Sequence, residues 1–491
     1  MASTEVTAPG AGAAARPVKV AAMPSARRIT WLTMCFMTVS AVASIRNTPS
    51  MAVYGLACIF LYALPAIVFL LPTSLVAAEL ASGWDGGVYN WVRQGITPQA
   101  GFLAIWTQFA MTLTYYPSLL AYVAATLAYI FMPSLASNGY YTAVVIIVVY
   151  WVSTMVSMRG VALVAKLSSS SMLLGTAIPG SALVVLGVIY LIQGNPSSAP
   201  MNAAALLPQF AGLASLVLIV NNFLSYAGME VNAVHVKSMK DPAKEFPKAM
   251  FLAMALVVII FVLPAVAISW VVPAKELTLT AGVMQAFTAF FAHFHVAWLT
   301  PILGIMLITA SLGGMMAWLA GPSKGLLQIG RQEGYLPPFF QKVNEHGIQV
   351  NILFAQGAIV SVIALLFALL PNVQSVYWIF SVITTQVYLI MYVLMFIAAM
   401  RLRKSQPEHP RGYRAPILPV LAIVGLVASG LAFAIGFVAP SQFGGGSPVV
   451  YFFMILGGVV LIGLVAPFVF LKLRKPSWKE AVPGPDDAGQ A

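Results

Sequence analysis

Glu230 is the one carboxylate set well inside an apolar segment, in the run NNFLSYAGMEVNAVHVKSMKDP that begins at Asn221. A charge near mid-bilayer costs about 2.5–3.5 kcal/mol on insertion scales, so such a residue usually faces a protein interior or a watery cavity. Ser225, Tyr226 and Gly228 come just before it. Gly lowers helix propensity by about 1 kcal/mol relative to Ala, and Ser competes for backbone hydrogen bonds. The combination predicts a helix break. Broken backbone inside a membrane is tolerated where it lines a cavity or meets a ligand. The N-terminal end of the resumed half-helix carries partial positive charge, which suits both a substrate carboxylate and an ionised Glu230. Two readings of Glu230 remain open: a group that handles solute or coupling, and a buried carboxylate that caps a half-helix.

Arg46, in SAVASIRNTPS, is the second residue of chemical interest. It lies near the outer end of the first apolar segment, where an Arg either serves a pathway or snorkels to the interface. Just before it, Thr38-Val39-Ser40-Ala41-Val42-Ala43-Ser44 forms a weak point of small and hydroxylated residues. Taken alone this is ordinary small-residue helix packing. It gains meaning if the first and sixth segments are equivalent members of two repeats, because paired interruptions point to a transporter binding site. Thr38, Ser40, Ala41, Ser44, Ser225, Tyr226 and Gly228 are therefore the candidate solute-binding positions, and Arg46 and Glu230 the candidate gating or coupling charges.

The elements that must position these groups are membrane helices. Of 491 residues, 60% are hydrophobic and 8% charged, against roughly 25% charged in a soluble domain. Apolar stretches near the ~20 residues that a crossing helix requires recur from Ile29 to Leu473. They fall at about 29–48, 52–78, 100–132, 140–158, 162–192, 210–237, 249–272, 297–322, 350–370, 374–400, 416–439 and 448–472. That predicts twelve crossings, with 100–132 and 162–192 long enough to tilt. With a cytoplasmic N-terminus, 23 of the 25 Lys and Arg residues fall on the cytoplasmic side, as insertion requires. Arg46 and Lys275 are the exceptions, and Lys275 belongs to an external loop.

Charge and motif content exclude several classes. The net charge of +12 is an insertion signal facing anionic lipid, and there is no soluble basic module with interleaved aromatics to bind nucleic acid. Cys35 and Cys58 both lie within segments and indicate no disulfide framework. Residues 1–28 are expected to be a disordered cytoplasmic tail rather than a cleaved signal peptide. His235, His293 and His295 offer no helical metal-ligand spacing, and no nucleophile–base set or phosphate-cradling loop points to an enzyme. GPSKG at the end of the eighth segment lacks the full phosphate-loop spacing. No metal or cofactor is expected.

Longer motifs carry a resemblance. AAELASGWDGGVYNWV (77–92), FLSYAGMEVNAVHV (223–236) with KDPAKEFPKAM (240–250), LTAGVMQAFT (279–288) and WLAGPSKGLL (318–327) resemble the glutamate/GABA antiporter branch of the amino acid–polyamine–organocation superfamily. The likeness covers nearly the whole chain. It implies an all-α membrane protein with a five-plus-five inverted-repeat (LeuT-like) core and two extra helices. The repeats would span about 29–193 and 208–403, within a transporter domain at 29–474 that the extra helices at 416–474 complete. A cytoplasmic tail at 475–491 would follow.

The resemblance further implies alternating access in a bacterial cytoplasmic membrane, with exchange of amino acids or related amines. Glu230 matches an acidic residue of the branch implicated in substrate handling and coupling. Tyr388 and Tyr392 match two pathway tyrosines, and their spacing of four sets both on one helix face; packing alone would also explain such a pair. The chain departs from the branch at Arg46, where the branch carries tyrosine, and at Gly314, aligned with an acidic residue. These two changes argue against glutamate/GABA specificity. Arg46 either binds a substrate carboxylate or pairs with Glu230 in one access state. Proton-coupled uptake is the alternative to exchange, sodium coupling through Thr309 and Ser311 is weaker, and an integral-membrane enzyme is remote. The expected partners are small solutes and membrane lipid, with the oligomeric state left open.

Overall fold

The computed structural model describes residues 29–159, 173–233, 239–442 and 447–479. The two tails before 29 and after 479, the start of the 162–192 segment, the end of the 210–237 segment and His235 lie outside these residues. Among the described residues the chain is nearly all helical, with one isolated bridge between Ile29 and Met239.

Among the described residues, ten helices are long and apolar enough to cross a membrane. We number all major helices in chain order. The first apolar segment gives α1 (Trp31–Val42) and α2 (Thr48–Ala52). Then come α3 (Gly55–Gly83), α5 (Pro98–Phe131), α6 (Gly139–Ser157) and α7 (Leu173–Ile192), with the short α4 (Gly87–Gly95) between α3 and α5. The sixth segment gives α8 (Val220–Tyr226) and α9 (Met229–Ala233). Beyond it lie α10 (Pro242–Val271), α11 (Gly282–His293), α12 (Leu299–Glu333), α13 (Val350–Leu369), α14 (Val373–Ser405), α15 (Leu418–Ile435) and α16 (Pro448–Leu473). The ten crossing helices match ten of the twelve expected segments one for one. The two remaining segments, 29–48 and 210–237, are the interrupted ones, which is why neither yields a single long helix.

The helices are ordered by burial. In α5 and α14, 78% of the apolar window is buried, against 22% in α16, so α5 and α14 form the centre and α16 the periphery. Apolar side chains such as Val362, Leu461 and Val449 remain exposed on the outer helices, as a lipid-facing surface demands.

Helix ends gather into two caps. In one, Arg93 pairs with Glu333 at 2.6 Å, and Arg474 donates to the Glu333 carbonyl at 2.5 Å. In the other, Tyr54 Oη and Gln442 Nε2 each donate to the Ser215 carbonyl at 2.7 Å, and the Leu279 N–H donates to Gln374 Oε1 at 2.6 Å. Arg93, Arg403, Arg411 and Arg474 thus share one cap, in keeping with the one-sided basic distribution of the sequence.

The basic cap is closed by a carboxylate that the sequence reading passed over. Glu79, near the end of α3, is 1% exposed and accepts from Arg403 Nη1 at 2.5 Å and Arg411 Nη1 at 2.7 Å. The Ala415 N–H donates to it at 2.7 Å. Arg411 also lies 5.2 Å from the Trp84 ring, and His409 stacks on the same ring at 4.7 Å. These contacts strap the 406–415 connection onto the turn that leads into α4. There Gly86 (φ 89°) and Gly87 (φ 66°) adopt the left-handed region, which glycine enters without a Cβ penalty. The strand of sequence GVYNWV then folds as an amphipathic helix, burying Val88, Tyr89, Trp91 and Val92.

Removing one partner of a buried ion pair leaves the other charge uncompensated, at a cost of about 3–5 kcal/mol. Glu79→Gln should therefore lower the unfolding midpoint in detergent, followed by intrinsic fluorescence, by more than Arg403→Gln. The Arg403 side chain is 32% exposed, so water compensates part of its loss. Equal midpoints for the two variants would contradict this assignment.

Candidate functional site

Both predicted weak points are breaks, at sharply defined residues. In the first segment the helix runs through Thr38 and Ser40, whose hydroxyls donate to their own helix at Met34 O (2.9 Å) and Phe36 O (2.7 Å). The break comes later, at Ala43 (ψ 124°) and Ser44 (φ −152°, ψ 127°), both extended. A short 3-10 turn, Ile45–Asn47, then leads into α2. In the sixth segment α8 ends at Tyr226, Ala227 is extended (ψ 148°), and Gly228 takes φ 109°. The positive φ is a conformation that glycine alone adopts readily. The two breaks lie side by side: a Cβ at Gly228 would sit 3.9 Å from the Ala41 carbonyl and 3.7 Å from the Trp318 ring.

A seam of amides and hydroxyls joins the two segments. Asn47 Nδ2 donates to Ser225 Oγ at 2.9 Å, and Asn221 Nδ2 to Ser50 Oγ at 3.1 Å. Asn222 Nδ2 reaches the Leu61 carbonyl at 2.8 Å. The Asn47, Asn221 and Asn222 amide N–H groups are thus partnered, as buried donors require, whereas the Asn221 and Asn222 side-chain oxygens are buried without a partner among the described residues. Ser225 is thus a link between segments. Tyr226 is fully buried and donates to the Tyr62 carbonyl at 3.1 Å, with its ring against Tyr62 and Phe261.

Glu230 follows the second break and is 1% exposed. Tyr388 Oη donates to its Oε1 at 2.5 Å and Tyr392 Oη to its Oε2 at 2.6 Å. Gln108 Nε2 approaches Oε1 at 3.5 Å. The Tyr392 hydroxyl also accepts from the Gly228 N–H at 2.8 Å, so one phenol binds the carboxylate and the freed backbone of the break together. The two tyrosines do share one face of α14, with ring centres 5.0 Å apart. No Lys or Arg pairs with Glu230 among the described residues.

Two cavities meet at this place. The larger, of about 820 Å³, runs from Gly86, Gly87 and Trp91 at the basic cap to Ala41 and Glu230. The smaller, of about 110 Å³, is lined by Ser44, Arg46, Tyr122, Thr176 and Ser311. Ser40, Ala41, Gly314 and Trp318 line both. Trp318 stands between them, edge-on to Tyr388 (6.4 Å) and tilted against Tyr115 (6.0 Å). Arg46 is 4% exposed and belongs to the small cavity. Thr38, Ser225, Tyr226, Gly228, Tyr388 and Tyr392 line neither cavity.

Among the described residues no three His, Cys, Asp or Glu side chains come together as metal ligands. His293 bonds the Gln193 and Asn195 amides at 3.0 and 3.3 Å. Asn47, Gln108, Tyr115 and Trp318 were missed from the sequence. Asn221-Asn222 in an apolar run was a visible signal, whereas nothing local marks Trp318.

Hydrogen bonds to a charged group are worth about 1.5–3 kcal/mol each. Tyr392→Phe strips both Glu230 Oε2 and the Gly228 N–H, so its unfolding midpoint should fall further than that of Tyr388→Phe, where Gln108 remains. Gly228→Ala must also strain a positive φ, at about 1–3 kcal/mol. Gly314→Ala, whose Cβ meets nothing within 4 Å, should keep the wild-type midpoint. The reverse order in either pair would count against the geometry described.

Comparison with known proteins agrees with this architecture. The profile of the amino acid permease family matches residues 29–461. An uncharacterized transporter of Legionella pneumophila is 34% identical over 445 residues, covering 89% of this chain and 95% of its own. A glutamate/gamma-aminobutyrate antiporter of Lactococcus lactis is 28% identical over 460 residues, 91% of each chain. A probable agmatine/putrescine antiporter of the same species is 25% identical over 355 residues, 71% of this chain and 74% of its own. With ten apolar crossing helices and a family match over most of its length, this multi-pass membrane protein belongs to the amino acid permease family.

Proposed function

We propose that the protein is a secondary transporter that exchanges amino acids or related amines across a bacterial cytoplasmic membrane. The carrying observation is the pair of adjacent helix breaks, at Ala43–Ser44 and Ala227–Gly228, beside a buried carboxylate and a cavity leading to one end of the molecule. The relatives that bear antiporter names support exchange. Breaks in the first and sixth segments also favour two inverted five-helix repeats, about 29–193 and 208–403, followed by two extra helices. The two interrupted segments then supply the eleventh and twelfth crossings, and both termini are cytoplasmic.

In that topology the basic cap is the cytoplasmic one, and the large cavity is an inward-facing vestibule. A solute entering past Gly86 and Trp91 reaches Glu230 and Trp318. Glu230, held by Tyr388 and Tyr392, is fixed in direction and is suited to a cationic amine. Trp318, Ala41 and Gly314 form the constriction beyond which the Arg46 cavity lies. In this conformation Arg46 and Glu230 are not an ion pair, and each has its own surroundings. Movement of α9 against α14 would break the bonds from Tyr388 and Tyr392 and so couple the state of Glu230 to access.

A second reading, proton-coupled uptake, is favoured by one observation: Glu230 is buried without a counter-ion among the described residues, as a proton carrier would be. Reconstituted liposomes separate the two. Under exchange, uptake of labelled glutamate, γ-aminobutyrate or another amino acid or amine requires unlabelled solute inside, and a pH gradient alone drives none. Glu230→Gln should reduce exchange to background while the protein still elutes as a folded species. If no amino acid or amine is taken up under either condition, the transport reading is wrong.

A further inference from the structure

Arg46 holds a buried positive charge that no acidic side chain pairs with among the described residues. Its side chain is 4% exposed. The one side-chain hydrogen bond it makes among the described residues runs to Ser118 Oγ, at a long 3.5 Å. The Ser118 hydroxyl donates its proton to the Tyr115 carbonyl at 2.9 Å and so offers the guanidinium only a neutral acceptor oxygen. The guanidinium also lies 5.0 Å from the centre of the Tyr115 ring, an attraction that offers no hydrogen-bond acceptor. A guanidinium has five N–H donors in a planar fork, so most of its bonding capacity is unmet. Leaving it so is destabilising, because buried charge requires both an opposite charge and hydrogen bonds.

The space beside it is fitted to an anion of limited size. The cavity of about 110 Å³ carries Arg46 and no acidic side chain in its lining. A carboxylate there would receive two parallel N–H donors, the geometry in which Arg binds such groups best. The cavity does not stand alone. It shares Ser40, Ala41, Gly314 and Trp318 with the vestibule that contains Glu230. Two of these shared residues are very small, and a Cβ at Gly314 would still meet nothing within 4 Å. One elongated solute can therefore lie past Trp318 with opposite ends in the two compartments.

We infer that Arg46 is an anion-binding residue that receives the carboxylate of the transported solute, opposite the Glu230 compartment that receives its ammonium group. This selects amino acids over amines that lack a carboxylate. The solute class rests on the transport reading above; anion binding at Arg46 does not. An inorganic anion such as chloride shares the same chemistry, and the experiment must tell the two apart.

Four-carbon compounds isolate the charged ends at constant length: butyrate, γ-aminobutyrate, putrescine and butylamine. Their binding to the purified full-length protein is measured by calorimetry in chloride-free gluconate buffer, then repeated with added chloride. Wild type should bind γ-aminobutyrate and butyrate. Arg46→Gln should weaken both by about tenfold or more while leaving putrescine unchanged or tighter, and Arg46→Lys should lie between. Equal weakening of putrescine would mean a structural role and overturn the inference. So would unaltered carboxylate binding in Arg46→Gln, or failure of wild type to bind either carboxylate. Chloride that displaces butyrate at comparable concentration, through an Arg46-dependent site, would assign the residue to an inorganic anion and overturn the solute assignment. If Arg46-dependent carboxylate binding holds and liposomes take up none of these solutes, the transport reading alone fails.

Discussion

The hydroxyl of Tyr392 holds the site together. It donates to Glu230 and accepts from the Gly228 N–H, so one group satisfies the two most costly features of the sixth segment. A backbone donor released from a helix and a buried carboxylate are each destabilising in an apolar interior. Bridged by one phenol on the central helix α14, they become a fixed arrangement. Tyr388 completes it from one helical turn away. The bond network also explains why Gly228 is needed: its φ of 109° turns the N–H toward α14 and restarts the helix one residue before Glu230.

The first segment solves the same problem by different means. Its break has no glycine; Ala43 and Ser44 are simply extended, and the chain is stabilised from outside. Thr176 donates to the Ala43 carbonyl at 3.3 Å, and Asn47 reaches across to Ser225. The two breaks are thus tied to one another by side chains rather than by regular structure. Such ties can exchange partners as helices shift, which long helical ladders cannot. The deeply buried α5 and α14 at the centre and a strapped basic cap around Glu79 provide the frame against which that exchange would occur. Arg46 and Glu230, held in separate compartments on either side of Trp318, give the frame its polarity.

Much of this was legible in the sequence, for identifiable reasons. Apolar runs and one-sided basic residues locate the crossings because lipid imposes both, and Gly228 beside Glu230 marks a break because helices rarely afford either. The break in the first segment was placed too broadly, since Thr38 and Ser40 satisfy their hydroxyls within the helix and do not disturb it. Tyr226 was read as a solute contact because of its neighbours, yet its ring turns toward Tyr62 and Phe261, a packing choice that spacing cannot reveal. Glu79 was overlooked although it stands in a quoted motif: its significance depends on Arg403 and Arg411, more than 300 residues later. Trp318 was likewise invisible, because a divider between two cavities exists only once both are folded.

The central claim is that the transported solute occupies the space where the two cavities meet, between the broken segments. Ala317 lines the vestibule and is exposed to it, whereas the native Cys35 and Cys58 are buried and unpaired. The most direct measurement is the rate at which a water-soluble maleimide labels Ala317→Cys in purified protein, with and without a saturating amino acid shown to be exchanged. The account predicts labelling without solute and clear protection with it. Labelling at the same rate in both conditions would contradict it.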